Sequence, residues 1–163
     1  MSDSSNPSGG PRHWPDIAGR LIETDGKRAH ILGLRVYFED TDFSGLVYHA
    51  SYLRWCERGR SDFLRLLGND HKSLIEGAAG REPAAFVVRR MQLEFLKPAR
   101  IDEVLEVETL VATLTAATLV LTQHVSRNGE RLFEATVTVV LVGQSGRVLR
   151  ISQGLRRALA PTD

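Results

Sequence analysis

Asp40, Asp42 and His49 stand close together in the stretch EDTDFSGLVYHASY, residues 39–52. A carboxylate can attack a carbonyl or take a proton from water, and an imidazole can hold or move a proton near neutral pH. Gly45, between them, permits a tight turn and the close approach of a ligand. Leu46, Val47 and Tyr48 add apolar surface beside these polar groups. Each residue also has a plainer reading. Asp42 suits a turn or a helix start, where its side chain bonds local N–H groups. Asp40 sits beside Glu39 at the end of a strand-like run and suits open solvent. His49 suits a half-buried position bonded to a backbone carbonyl, and Gly45 suits an ordinary turn. Spacing alone leaves both readings of each residue open.

The other reactive side chains have plain readings too. Glu57 matches a surface pair with Arg54, Arg58 or Arg60 on one helix. Cys56, the single cysteine, falls on an apolar stripe without a clear basic neighbour, and reads as packing. Arg89, Arg90 and Lys97 are scattered cations that suit a solvated face or a bound phosphate. The chain has no GxGxxG, P-loop or HExxH pattern and no cluster with metal-ligand spacing.

The elements that must position the 39–52 stretch are legible as periods. Residues 51–67 form the clearest helix, with Tyr52, Cys56, Gly59, Phe63, Leu66 and Leu67 on one stripe. Gly59 within that stripe implies close packing against another element, because glycine in a helix costs roughly 1 kcal/mol against alanine. Gly68-Asn69 supplies the stop, and 70–77 holds room for another helical turn. Upstream, Asp25-Gly26 joins a short strand near 20–24 to a longer one near 28–38, with Gly33 as a bulge or break. Downstream, alternation predicts strands near 90–95, 104–111, 115–126 and 131–142, with a tight turn at Asn128-Gly129. GQSG then turns the chain into 147–151, and the last residues form a short helix or a frayed end. One sheet with an apolar face and one helix with an apolar stripe bury each other when the sheet curls around the helix. This is an α+β architecture.

Residues 1–18 are rich in Ser, Pro, Gly and Asn and read as a disordered tail, leaving 19–160 as a single domain. The chain has 163 residues, 42% hydrophobic and 25% charged, with a formal net charge of +1. Charges of both signs are mixed, so no basic face marks a nucleic-acid partner. No apolar run is long enough for a membrane span, and the first residues lack the pattern of a secretory signal. A lone cysteine and no disulfide framework fit a cytoplasmic setting.

The stretch VYFEDTDFSGLVYHASYLRWCERGRSDFLR, residues 36–65, closely resembles the 4-hydroxybenzoyl-CoA thioesterase family of hotdog-fold proteins. It is most similar to the branch of acyl-CoA thioesterases associated with the bacterial Tol–Pal system. The resemblance continues through FVVRRMQLEFLKPARIDEVLEVET, residues 86–109, and more loosely to about residue 142. The tail and first hairpin extend beyond it. It implies a curved antiparallel sheet around one central helix, assembled as a homodimer or homotetramer with sites at subunit interfaces. It implies an acyl-CoA or acyl-carrier-protein thioester as substrate, with no cofactor and no metal. Asp42 corresponds to the family's catalytic acid and His49 to its histidine, whose backbone N–H faces the thioester oxygen. Gly45, Val47 and Tyr48 fall at substrate-contacting positions. Two rival expectations accompany this one: a hotdog enoyl-thioester hydratase or dehydratase, and a non-catalytic acyl-carrier or lipid-enzyme binding module.

Overall fold

The computed structural model describes residues 19–77 and 80–160, so the tail expected at 1–18 lies outside the described residues. The first strands are β1 (Arg20–Thr24) and β2 (Lys27–Arg35), followed by a single 3-10 turn at Phe38–Asp40. Two helices come next, α1 (His49–Leu66) and α2 (His71–Glu76). Strands β3 (Ala84–Phe95), β4 (Val104–Leu114), β5 (Thr118–Arg127), β6 (Glu130–Gly143) and β7 (Val148–Leu149) follow, then α3 (Gln153–Leu159). The strands join in one antiparallel sheet ordered β1-β2-β4-β5-β6-β3, with β7 added beside β6. This is the α+β architecture that the periods predict.

The two dipeptide turns form as read. Asp25-Gly26 and Asn128-Gly129 all have positive φ, the backbone that a two-residue hairpin with right-handed twist requires. Gly33 is different: β2 runs through it in unbroken register with β4, so it marks no bulge. The register shifts lie instead at Val88/Arg90, Val111/Thr113 and Val125/Ser126, where an extra residue bends each strand. β2 also stops at Arg35 rather than near 38. The Asp40 carboxylate accepts the Tyr37 N–H at 2.9 Å and closes the chain into the 3-10 turn. β3 begins at Ala84, well before the alternating run at 90–95.

α1 lies across one face of the sheet, over β4 and against β1, β2 and β5. Leu105, Val107, Leu119, Leu121, Val125, Phe133 and Val137 alternate inward along β4, β5 and β6 to meet it. From the helix come Tyr52, Trp55, Cys56, Phe63 and Leu64, all buried. Each such apolar side chain contributes about 1.5–3 kcal/mol. The buried arc differs from the stripe read in sequence. Leu66 and Leu67 are half-buried, while Ser51 and Arg60 are buried. Gly59 packs as its position implies: a Cβ there would stand 3.1 Å from Thr109 Oγ1 and 3.2 Å from Val107 Cγ1.

Arg60 is tolerated inside because its guanidinium donates to Gln123 Oε1 at 2.7 Å and pairs with Glu57. Gln123, fully buried, donates in turn to the Cys56 carbonyl and to Thr109 Oγ1. A charge under a helix costs free energy unless paired and hydrogen-bonded, and both conditions hold. Glu57 does pair with Arg60, one of its expected partners, but the pair reaches from the surface to a buried guanidinium rather than lying on the surface. Among the described residues, no helix is long and apolar enough to cross a membrane.

Candidate active site

The loop between the 3-10 turn and α1 is a miniature antiparallel ladder. The Asp42 N–H donates to the Leu46 carbonyl at 3.0 Å, Thr41 bridges Val47, and the Tyr48 N–H donates to the Asp40 carbonyl at 2.8 Å. The fold back is made at Gly45, whose φ of +77° lies in the left-handed region and whose N–H donates to the Asp42 carbonyl. The ladder brings Asp42 alongside Leu46 and delivers the chain to His49, the first residue of α1. Asp42 therefore stands in a loop after a 3-10 turn, not at a strand end.

Asp40 and Asp42 have opposite surroundings. Asp40 is buried: its carboxylate caps the 3-10 turn, and its carbonyl also accepts the Ser51 hydroxyl at 3.1 Å. The solvated reading of Asp40 fails for that reason: its role is structural. Asp42 is exposed, and its Oδ1 accepts both the hydroxyl and the N–H of Ser44. The Ser44 hydroxyl, and after it the Ser44 N–H, hold the Asp42 carboxyl below its ordinary value. The group is an anion at neutral pH.

At the start of α1, Tyr48 makes no side-chain capping bond, whereas Asp70 caps α2 and Ser152 caps α3. The first N–H groups of a helix have no intrahelical partner and sit at the positive end of its dipole. The His49 ring stacks obliquely on Tyr48 at 4.3 Å and meets the edge of Phe95 at 6.5 Å. His49 and Val47 line a cavity of about 260 Å³ with Leu46, Tyr52 and residues 95–98. Asp42, Gly45 and Tyr48 are not among its lining residues; they stand on the exposed loop and helix start next to it. A larger cavity, about 450 Å³, lies past the far end of α1, lined by Gly68, Leu74, Ala84, Leu141 and Leu155 among others. None of the 39–52 residues lines it, so of these two cavities the smaller is the one that His49 enters.

Two features go beyond the sequence reading. Tyr52 lines the cavity one turn after His49, and its hydroxyl oxygen accepts the Ala99 N–H at 3.0 Å. Helical spacing from His49 was the available signal. Lys97 also lines the cavity but is not a free cation, because it pairs with Glu130. Arg89 and Arg90 lie exposed on β3. Cys56 is buried, and burial pushes its thiol up to about 12, which keeps it neutral and unreactive.

A curved antiparallel sheet around a central helix, with an acidic loop at the helix start, defines a hotdog-fold α+β protein. Residues 44–134 match the thioesterase superfamily, and the chain belongs to that family. It is 44% identical over 110 residues to an acyl-CoA thioester hydrolase, YbgC, of Escherichia coli, spanning 67% of this chain and 78% of that one. It is 40% identical over 109 residues to an acyl-CoA thioesterase YbgC of Haemophilus influenzae, spanning 67% and 77%. Among solved structures, a probable thioesterase from Bartonella henselae superposes with a TM-score of 0.73 at 40% identity, covering 76% of this chain and 99% of that one. A 4-hydroxybenzoyl CoA thioesterase bound to 4-hydroxybenzoyl CoA shares the fold at 17% identity and a TM-score of 0.73, covering 81% and 99%. The chain is thus a thioester hydrolase.

Proposed function

We propose that this enzyme hydrolyses acyl-CoA thioesters, with Asp42 as nucleophile or general base and the start of α1 as the oxyanion site. The observation that carries the reading is the pairing of an exposed, anionic Asp42 with an uncapped helix start, joined by one short ladder. The YbgC relatives, an acyl-CoA thioester hydrolase and an acyl-CoA thioesterase, supply the substrate class. In one route the Asp42 carboxylate bonds to the acyl carbon and the C–S bond breaks. CoA leaves as a thiolate and takes up a proton, and water then opens the mixed anhydride. In the other, Asp42 takes a proton from a water whose oxygen bonds to the acyl carbon directly; the C–S bond then breaks, and CoA leaves as a thiolate that takes up that proton. In both, the carbonyl oxygen gains charge, and N–H groups fixed at the His49 end of the helix are worth about 3 kcal/mol in the transition state. The His49 ring orients the carbonyl or water, and Gly45 leaves the approach free of a side chain. Val47 and Tyr48 flank the thioester, and the enzyme works as a homodimer or homotetramer.

Release of free thiol from a panel of acyl-CoA and acyl-carrier-protein thioesters tests this. Asp42→Asn should lower turnover by about 10²–10⁴-fold while the protein stays folded. Full activity in that variant overturns the mechanism. Tight binding of an acyl carrier protein with no cleavage of any thioester favours a binding module instead.

A further inference from the structure

Residues 96–103, which join β3 to β4, form the backing of the active-site loop. The Ala99 carbonyl accepts the Val47 N–H at 2.9 Å, Arg100 bridges Leu46, and the Ala99 N–H bonds to Tyr52. The turn is held closed by Glu103, whose carboxylate accepts the Arg100 N–H at 2.9 Å. Both oxygens of that carboxylate also accept from one nitrogen of Arg127, at 2.8 and 2.9 Å. Arg127 is the last residue of β5 and belongs to neither segment. Its other terminal nitrogen donates to Glu130 at 2.7 Å, and Glu130 pairs with Lys97. Charges therefore alternate along Lys97, Glu130, Arg127 and Glu103. The guanidinium at the centre grips the far end of the backing segment directly and its near end through Glu130.

We propose that Arg127 is a positioning residue for thioester hydrolysis: by gripping both ends of 97–103 it fixes the Ala99 carbonyl, and through Val47 it fixes the His49 N–H and ring against the substrate carbonyl. This rests on the reading of the helix start as the oxyanion site. The planar fork of arginine suits the task, since it serves two carboxylates at once, whereas an ammonium is a single point of charge. Arg127 and Glu103 are each only about a quarter exposed, so solvent screens them less than it screens a surface pair. Their charges extend to the cavity wall. Burial foremost raises the Tyr52 hydroxyl, Glu103 raises it further and Arg127 opposes that rise.

The test compares Arg127→Met, Arg127→Lys and, as a control, Arg131→Met, which removes the neighbouring Arg131–Glu134 pair, one that shares no residue with the clamp. Arg127→Met should lower kcat about tenfold with KM within about twofold, because small misplacements near a reacting carbonyl are costly. Arg127→Lys should recover part of the loss, and Arg131→Met should match the parent. Amide hydrogen exchange at Val47, whose N–H the Ala99 carbonyl holds, should quicken in Arg127→Met alone. A folded Arg127→Met with parental kcat and parental Val47 exchange overturns the proposal. So does a lowered Tm with unchanged kcat per folded molecule, which makes the residue structural only. Should Arg127→Met not fold, Glu103→Gln, which keeps an acceptor but drops the charge, carries the same comparison. Exchange at Val47 reads the clamp without substrate. Turnover by Asp42→Asn therefore refutes the reading of the site, and unchanged Val47 exchange in Arg127→Met refutes the clamp.

Discussion

Ser44 sets the acid limit of the proposed chemistry. Its hydroxyl is the largest cause of the lowered Asp42 pKa, followed by its N–H. A depressed carboxyl keeps its charge until the pH falls through the depressed value, so activity should persist to more acid pH than an ordinary aspartate near 3.9 allows. Ser44→Ala removes the hydroxyl and lets the value rise. The acid limb of the kcat/KM profile should then move to higher pH while the neutral plateau stays. An unmoved limb assigns the ionisation to another group. The residues of this loop are contiguous, which is why 39–52 stands out in the sequence. The difference between Asp40 and Asp42 does not, since Asp40 is buried by how Tyr37, Tyr48 and Ser51 fold onto it. Lys97, Glu103, Arg127 and Tyr52 come from distant parts of the chain, and no spacing rule joins them.

At the scale of elements, α1 shows what a helical period can and cannot report. Tyr52, Cys56, Gly59 and Phe63 are buried as the stripe requires. Arg60 was read as a surface partner, because only the approach of Gln123 from β5 makes its burial tolerable. The sheet beneath fixes the limits of change at Gly59. Thr109 and Val107 stand 3.1 and 3.2 Å from where a Cβ would go, and both belong to β4, which cannot retreat alone. Gly59→Val should cost about 1–3 kcal/mol by overpacking, more than offsetting any gain in helix propensity. Urea unfolding measures this as a lower midpoint, and an unchanged midpoint shows that β4 yields. Strand order was beyond reach of the alternation that located the strands. β3 precedes β4 in the chain yet pairs with β6, a long-range choice made by packing.

Over the whole molecule, the ends of the sheet differ. β3 closes one end and carries exposed Val87, Val88 and Phe95, beside a loop that exposes Phe38, Phe43 and Tyr48. Apolar surface of this extent next to an unpaired strand edge favours self-association. Sedimentation should give a dimer or tetramer, and Val87→Glu should shift it toward monomer with loss of thioesterase activity. A fully active monomer refutes an interface at the site.

The other end of the sheet is β1, five residues long and carrying Arg20 and Glu23, hydrogen-bonded along β2. Its hairpin is pinned from behind: the buried His30 meets Asp62 of α1 at 2.6 Å, and Arg28 donates to the Ala158 carbonyl of α3. A chain with two long bare edges would add copies without limit and grow into a fibre. Here an apolar edge at β3 is matched by a short, charged, tethered edge at β1, so pairing through β3 would leave no second edge of the same kind for further growth. The N-terminal hairpin is in that sense a stopper, guarding the sheet against growth into a fibre.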